Sequence, residues 1–193
     1  MNIKHDAISP LIFQRLKQEV FGSIPWFFTP NTAYPSSADN AHLNFSYVHH
    51  IYGDGRPSSE LYDLVDLAVR SALDNTGQTL SLIYRIRLGM ITALDVPFVH
   101  GAHIDMDVPH MTGLIYLNDS DGDTIFYKER FRHGIDFLPT NWYESESDRV
   151  YNVEETVTPK ENTFVWFDGL QYHSSSTPNT TSRRIVININ YQN

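Results

Sequence analysis

Leu80-Ser81-Leu82-Ile83-Tyr84-Arg85-Ile86-Arg87-Leu88 is the stretch at which the chain changes period. Its alternation is that of a β-strand, where residues two apart share a face. Upstream, apolar residues recur at helical spacing. Ser9-Pro10 reads as an N-cap followed by proline at the first helical position. Phe13, Leu16, Val20 and Phe21 then share one face, and Gly22 is a stop. A second helix is expected after Ser58-Ser59, with Leu61, Leu64, Val65, Ala68 and Ala72 as its apolar stripe and Gly77 as its breaker. Residues 23–57 read as irregular. Downstream, strand-like runs fall at 111–118, 124–128, 149–157, 162–167 and 184–191, separated by Gly, Asp, Asn and Pro clusters. Helices followed by short strands with no helices between them predict an antiparallel sheet structure backed by helices. A β-sandwich or open barrel of jelly-roll type suits that order. No repeat or linker divides the chain, so one domain is expected over 1–193, with 1–79 as helical support and 80–193 as the β core.

Composition narrows the function classes. The chain has 193 residues, enough to bury a substantial core. It contains no cysteine, which excludes disulfides, cysteine-based zinc sites, iron–sulfur clusters and thiol nucleophiles. A formal net charge of −9 argues against a nucleic-acid backbone as the main partner. The opening residues, Met1-Asn2-Ile3-Lys4-His5-Asp6, carry no signal-like apolar run, and no stretch reaches the ~20 apolar residues of a membrane span. A soluble protein of the cytoplasm is therefore expected.

The histidines carry the chemical signal. His103-Ile104-Asp105 lies in a strand-like context, where an imidazole and a carboxylate two residues apart can face one point. His173 follows the apolar run Phe164-Val165-Trp166-Phe167 and the turn Asp168-Gly169. Two histidines and a carboxylate on one side of an ion leave its other positions open, an arrangement suited to non-haem Fe(II). H-x-D alone is weak, because nine histidines supply it often by chance. Arg184 adds to it. It opens the strand Arg184-Ile185-Val186-Ile187-Asn188-Ile189-Asn190, in which Arg184, Val186, Asn188 and Asn190 share one face and the isoleucines the other. An arginine there can grip a carboxylate in bidentate fashion. Arg183 points the opposite way and suits a solvated role, although the register leaves a swap open.

These residues resemble the H-x-D…H…R pattern of the Fe(II)- and 2-oxoglutarate-dependent dioxygenase superfamily. Leu114-Ile115-Tyr116-Leu117-Asn118 is similar to the "YLN" strand of prolyl-4-hydroxylase-like members. Asp121-Gly122-Asp123-Thr124-Ile125-Phe126 is similar to their "GGET-x-F" turn, and Pro159-Lys160-Glu161-Asn162-Thr163-Phe164-Val165-Trp166-Phe167 to the segment before the distal histidine. The resemblance covers residues 80–191 and is nearest to small, stand-alone members of the kind found in bacteria and phage. It implies a mainly β fold, the double-stranded β-helix. It implies Fe(II) on His103, Asp105 and His173, and 2-oxoglutarate and O2 as cosubstrates, with the distal carboxylate of 2-oxoglutarate on Arg184. It implies a hydroxylase that couples oxidation of a prolyl, peptide or small-molecule substrate to formation of succinate and CO2. Asp105 argues against halogenation, whose enzymes lack that ligand. Two positions depart from the pattern. Ile115 stands where a tyrosine often contacts 2-oxoglutarate, for which Tyr84 is the substitute candidate, and Asp123 replaces the "GGET" glutamate.

Other residues have plainer alternatives. His100 and His110 flank the triad but fit its register poorly. His49-His50 reads as a surface loop. Pro25-Trp26-Phe27-Phe28 suits core packing better than a substrate mouth. Arg85 and Arg87 can face either the cavity or solvent. The polar segment 127–150 reads as a loop over the site or as plain surface. The competing functions are a cupin-like metal-binding protein without oxygenase activity and a nucleic-acid demethylase of the same superfamily.

Overall fold

The computed structural model describes residues 1–33, 41–136 and 150–193. The elements run β1 (Asn2–Lys4), α1 (Pro10–Val20), β2 (Phe27–Thr29), β3 (Ser46–Gly53), β4 (Arg56–Pro57), α2 (Tyr62–Asp74), β5 (Leu82–Thr92), β6 (Met111–Tyr116), β7 (Thr124–Arg130), β8 (Val153–Val157), β9 (Thr163–Asp168), β10 (Gln171–Ser175) and β11 (Arg183–Gln192). The large sheet has the order β1-β9-β6-β11-β5-β3-β2, with β4 on β3. A small sheet has the order β10-β7-β8. The pairings are antiparallel.

Both helices lie where their apolar stripes predict. Pro10 opens α1, though the Ser9 side chain makes no capping hydrogen bond. Helix α1 buries Phe13, Leu16 and Val20, and α2 buries Val65, Ala68, Val69, Ala72 and Leu73. Gly77 ends the second turn region at φ +65°, which a residue without Cβ adopts at no steric cost. The amide of Gln78 there reaches the Leu73 carbonyl at 2.9 Å.

The large sheet is the middle layer. Its back face gives Ile86, Leu88, Ile115, Ile185, Ile187 and Ile189 to the core under the helices. Its front face gives Leu114, Tyr116, Val165, Phe167 and Val186 to a second core, closed by Phe126 and Val157 of the small sheet. The period-2 alternation of β11 divides the two layers: Ile185, Ile187 and Ile189 meet the helices, whereas Arg184 and Val186 face the small sheet.

Three expectations change. Residues 1–79 supply β1–β4 as well as helices, so part of the region read as irregular is sheet. His49-His50 lies in β3 and not in a surface loop. Buried His49 satisfies both ring nitrogens, with the Pro25 carbonyl at 2.7 Å and Ser59 Oγ at 2.7 Å. Phe27 and Phe28 are mostly exposed on edge strand β2 and are not core. Much of segment 127–150, namely 137–149, lies outside the described residues. Among the described residues, no helix is long and apolar enough to cross a membrane.

Candidate metal centre

The triad is brought together by a bridge between two non-adjacent segments. His103 and His173 form an isolated antiparallel bridge, with their amides and carbonyls paired at 2.9 and 3.0 Å. His173 belongs to β10, which the sequence did not reveal as a strand. His103 and Asp105 lie in the segment linking β5 to β6, which carries two isolated bridges, Val99–Ser176 and His103–His173. The side-chain donor atoms of His103, Asp105 and His173 all lie within 4.8 Å of one another. His173 Nε2 is 3.9 Å from Asp105 Oδ2.

Each imidazole is oriented by its other nitrogen. Nδ1 of His103 lies 3.0 Å from the Gly101 carbonyl, and Nδ1 of His173 lies 3.1 Å from the Gln171 carbonyl. A carbonyl only accepts, so each Nδ1 carries the proton and each Nε2 keeps a free lone pair. Burial lowers the pKa of His103 to about 3, with His173 nearby adding to the effect. Burial also lowers that of His173. Both are therefore neutral near pH 7, the form that binds metal.

Asp105 is the hub of the polar network. Its Oδ1 accepts from Arg85 Nη2 at 3.1 Å and Arg87 Nη2 at 3.0 Å. Its Oδ2 accepts from Asn188 Nδ2 at 3.1 Å and Asn190 Nδ2 at 3.0 Å. Burial alone would raise the Asp105 carboxyl, but the Arg87 and Arg85 guanidinium groups around it hold it well below the usual range. Sequence reading left Arg85 and Arg87 undecided and gave Asn188 and Asn190 no role. Only the register resolves this: Arg87 stands opposite Asn188, and Arg85 opposite Asn190.

A cavity of about 240 Å3 opens beside the triad, lined by His103 and His173 and, farther along, by Thr124, Arg184 and Asn188. Arg184 is buried. Its Nη2 donates to Thr124 Oγ1 at 2.7 Å, and that hydroxyl also meets the Tyr116 hydroxyl at 2.7 Å. Its Nε has no partner, and no carboxylate lies within ion-pair distance of it among the described residues. A buried cationic donor without an acceptor is costly. Arg183 points away from the cavity, is exposed, and lies over the Phe21 ring at 4.9 Å from its centroid.

The flanking histidines do not join the triad. His100 is buried, with Nδ1 at 2.8 Å from the Ser175 carbonyl. His110 contacts the Val108 carbonyl and Thr112 Oγ1. A Cβ on Gly169 would sit 2.2 Å from His110 Nε2, so this close approach requires glycine. Tyr84 lies apart from the triad. It sits at the register shift between β5 and β11, outside the cavity wall, and its hydroxyl donates to Gln192 at 3.2 Å. Ile115 packs under the helices, so its position contributes nothing to the cavity.

The chain matches no protein-family model and no curated protein sequence. Solved structures do match its fold. A 2OG-Fe(II) oxygenase family oxidoreductase from Burkholderia pseudomallei aligns with 97% of this chain and 82% of its own, at 16% identity and a TM-score of 0.57. A prolyl hydroxylase from Trichoplax adhaerens, solved with a peptide fragment of hypoxia inducible factor, aligns over 99% and 82%, at 13% identity and 0.57. The epimerase of nogalamycin biosynthesis, solved with Fe3+ and α-ketoglutarate, aligns over 99% and 78%, at 11% identity and 0.58. The chain thus has the double-stranded β-helix fold of the 2-oxoglutarate- and Fe(II)-dependent oxygenases.

Proposed function

We propose that this protein is an Fe(II)- and 2-oxoglutarate-dependent oxygenase, with hydroxylation of a peptide or small-molecule substrate as its reaction. The observation that carries this reading is Arg184. A simple metal-binding sandwich has no use for a buried guanidinium with an unpartnered Nε in the same cavity as a His–Asp–His triad. A dicarboxylic acid has one end for the metal and another for that arginine.

The donor set fits the metal. Two neutral imidazoles and one carboxylate suit Fe(II) and leave coordination positions for exchangeable ligands. His103, Asp105 and His173 would hold it, and the bound iron and oxoacid would supply the oxidising chemistry. The protein's own contribution is geometric and electrostatic. The Gly101 and Gln171 carbonyls fix the two imidazoles. Arg85, Arg87, Asn188 and Asn190 hold the Asp105 carboxylate ionised and in place. Arg184 and Thr124 would receive the distal carboxylate of 2-oxoglutarate away from bulk water, where a charge-assisted pair is strong.

Anaerobic titration tests the assignment. Fe(II) should bind the full chain, and 2-oxoglutarate should bind once metal is present, and more weakly when Arg184 is replaced. Fe(II) binding with no 2-oxoglutarate binding would favour a cupin-like metal-binding protein instead. Succinate release over candidate substrates then identifies what is oxidised.

A further inference from the structure

The cavity face of the large sheet carries a second concentration of positive charge, apart from Arg184. Side chains paired across antiparallel strands share a face. Arg87 pairs with Asn188 on one side and His50 on the other, so the three form a row. Arg85 stands in the next row, opposite Asn190. Both guanidinium groups converge on one oxygen, Asp105 Oδ1. Among the described residues, no other carboxylate lies within ion-pair distance of either.

One carboxylate therefore answers two arginines, and it is also the acidic member of the triad. Facing a divalent cation as well, it would share a single negative charge among three positive centres. Arg184 cannot relieve this shortage with the same small anion. It lies four residues from Asn188 along β11, about 13 Å at strand spacing. Under the oxygenase reading, on which this inference rests, 2-oxoglutarate answers Arg184 and the metal and leaves Arg85 and Arg87 under-compensated. The pair is reachable, since each side chain is 27% exposed and Arg87 lines the cavity with His103, His173 and Asn188. It is also sheltered enough that an ion pair there is worth more than one at the open surface. In a chain of net charge −9, such a wall does not follow from composition.

We infer that Arg85 and Arg87, with His50 at their rim, bind an anionic group of the substrate, so that the substrate is a small molecule bearing a carboxylate or phosphate. The test uses the full chain loaded with Zn(II), which is redox-inert, and saturated with 2-oxoglutarate. N-acetylglycine, methyl phosphate and neutral N-acetylglycinamide are titrated while the arginine side-chain N–H resonances are followed by NMR. The two anions should shift the Arg85 and Arg87 signals and bind at least about 10-fold more tightly than the amide, a difference of about 1.4 kcal/mol. The tighter of the two anions names the group. Arg87→Gln and, separately, Arg85→Gln should each weaken anion binding about 10-fold or more. Arg87→Lys should restore part of it, with every variant compared on protein shown by metal analysis to be fully loaded with Zn(II). Equal binding of acid and amide, or of neither, overturns the inference. So does Arg87→Gln weakening 2-oxoglutarate as much as Arg184→Gln does. If 2-oxoglutarate fails to bind wild type while the anions still shift Arg87, the anion site stands and the oxygenase reading falls.

Discussion

The two faces of β11 are built from the same ten residues and do opposite things. On one face Ile185, Ile187 and Ile189 are sealed against the helices. On the other, Arg184 waits without an anion while Asn188 and Asn190 grip Asp105. The first face stabilises by removing apolar area from water. The second carries buried polar groups whose cost is met only when every one is bonded. The larger core therefore rests on one side of this strand and the proposed site on the other, where Val186 also joins the smaller core, and substitutions should separate them.

The largest expected effect belongs to the triad. His103→Ala should abolish metal-dependent succinate formation altogether, with the circular dichroism of the folded protein retained. A variant that keeps turnover would remove His103 from the metal site. Next comes the apolar face. Ile187→Ala should cost about 2–5 kcal/mol in urea denaturation, with 2-oxoglutarate affinity of the folded protein within about twofold of wild type. A large loss of affinity there would mean that the faces are not independent. On the polar face, Arg184→Gln should weaken 2-oxoglutarate binding about 10- to 150-fold, the span of a charged hydrogen bond. Stability should change less than for Ile187→Ala.

Acidity gives a smaller, graded effect on the metal-free protein. His103 and His100 take up a proton near pH 6.5 when unfolded, but only near pH 3 and 4 when buried. The unfolded chain thus binds more protons between those limits. Their contribution to stability is complete above about pH 6.5 and falls as pH drops, by up to about 1.4 kcal/mol per unit for each histidine. Urea midpoints measured from pH 7 to pH 5 should decline accordingly, and a flat profile would place these rings in water. The smallest effect is that of Arg183→Gln, which should leave 2-oxoglutarate binding within about twofold. Equal losses from the two arginines would overturn the assigned faces of β11.

These contrasts also explain what the sequence could reveal. The alternation of β11 is legible because apolar and polar residues divide cleanly between its faces, and Arg184 falls on the cavity side as that alternation predicts. Strand β3 was hidden because His49 is polar yet buried, satisfied by the Pro25 carbonyl and Ser59. A reading that equates buried with apolar misses such a strand. The direction of Tyr84 was hidden for another reason: the β5–β11 register slips there, and a bulge leaves no trace in composition. The donors around Asp105 come from strands as many as 85 positions away. Their convergence is a property of pairing, which no local pattern encodes.

The triad also has a mechanical consequence. His173 belongs to the small sheet, whereas Asp105 is moored through Arg85, Arg87, Asn188 and Asn190 to the large one. An ion held by both would tie the two sheets together, much as a cross-link closes a long loop. Metal would then slow the breathing of β10-β7-β8 while leaving helix α1, on the far side of the large sheet, as it was.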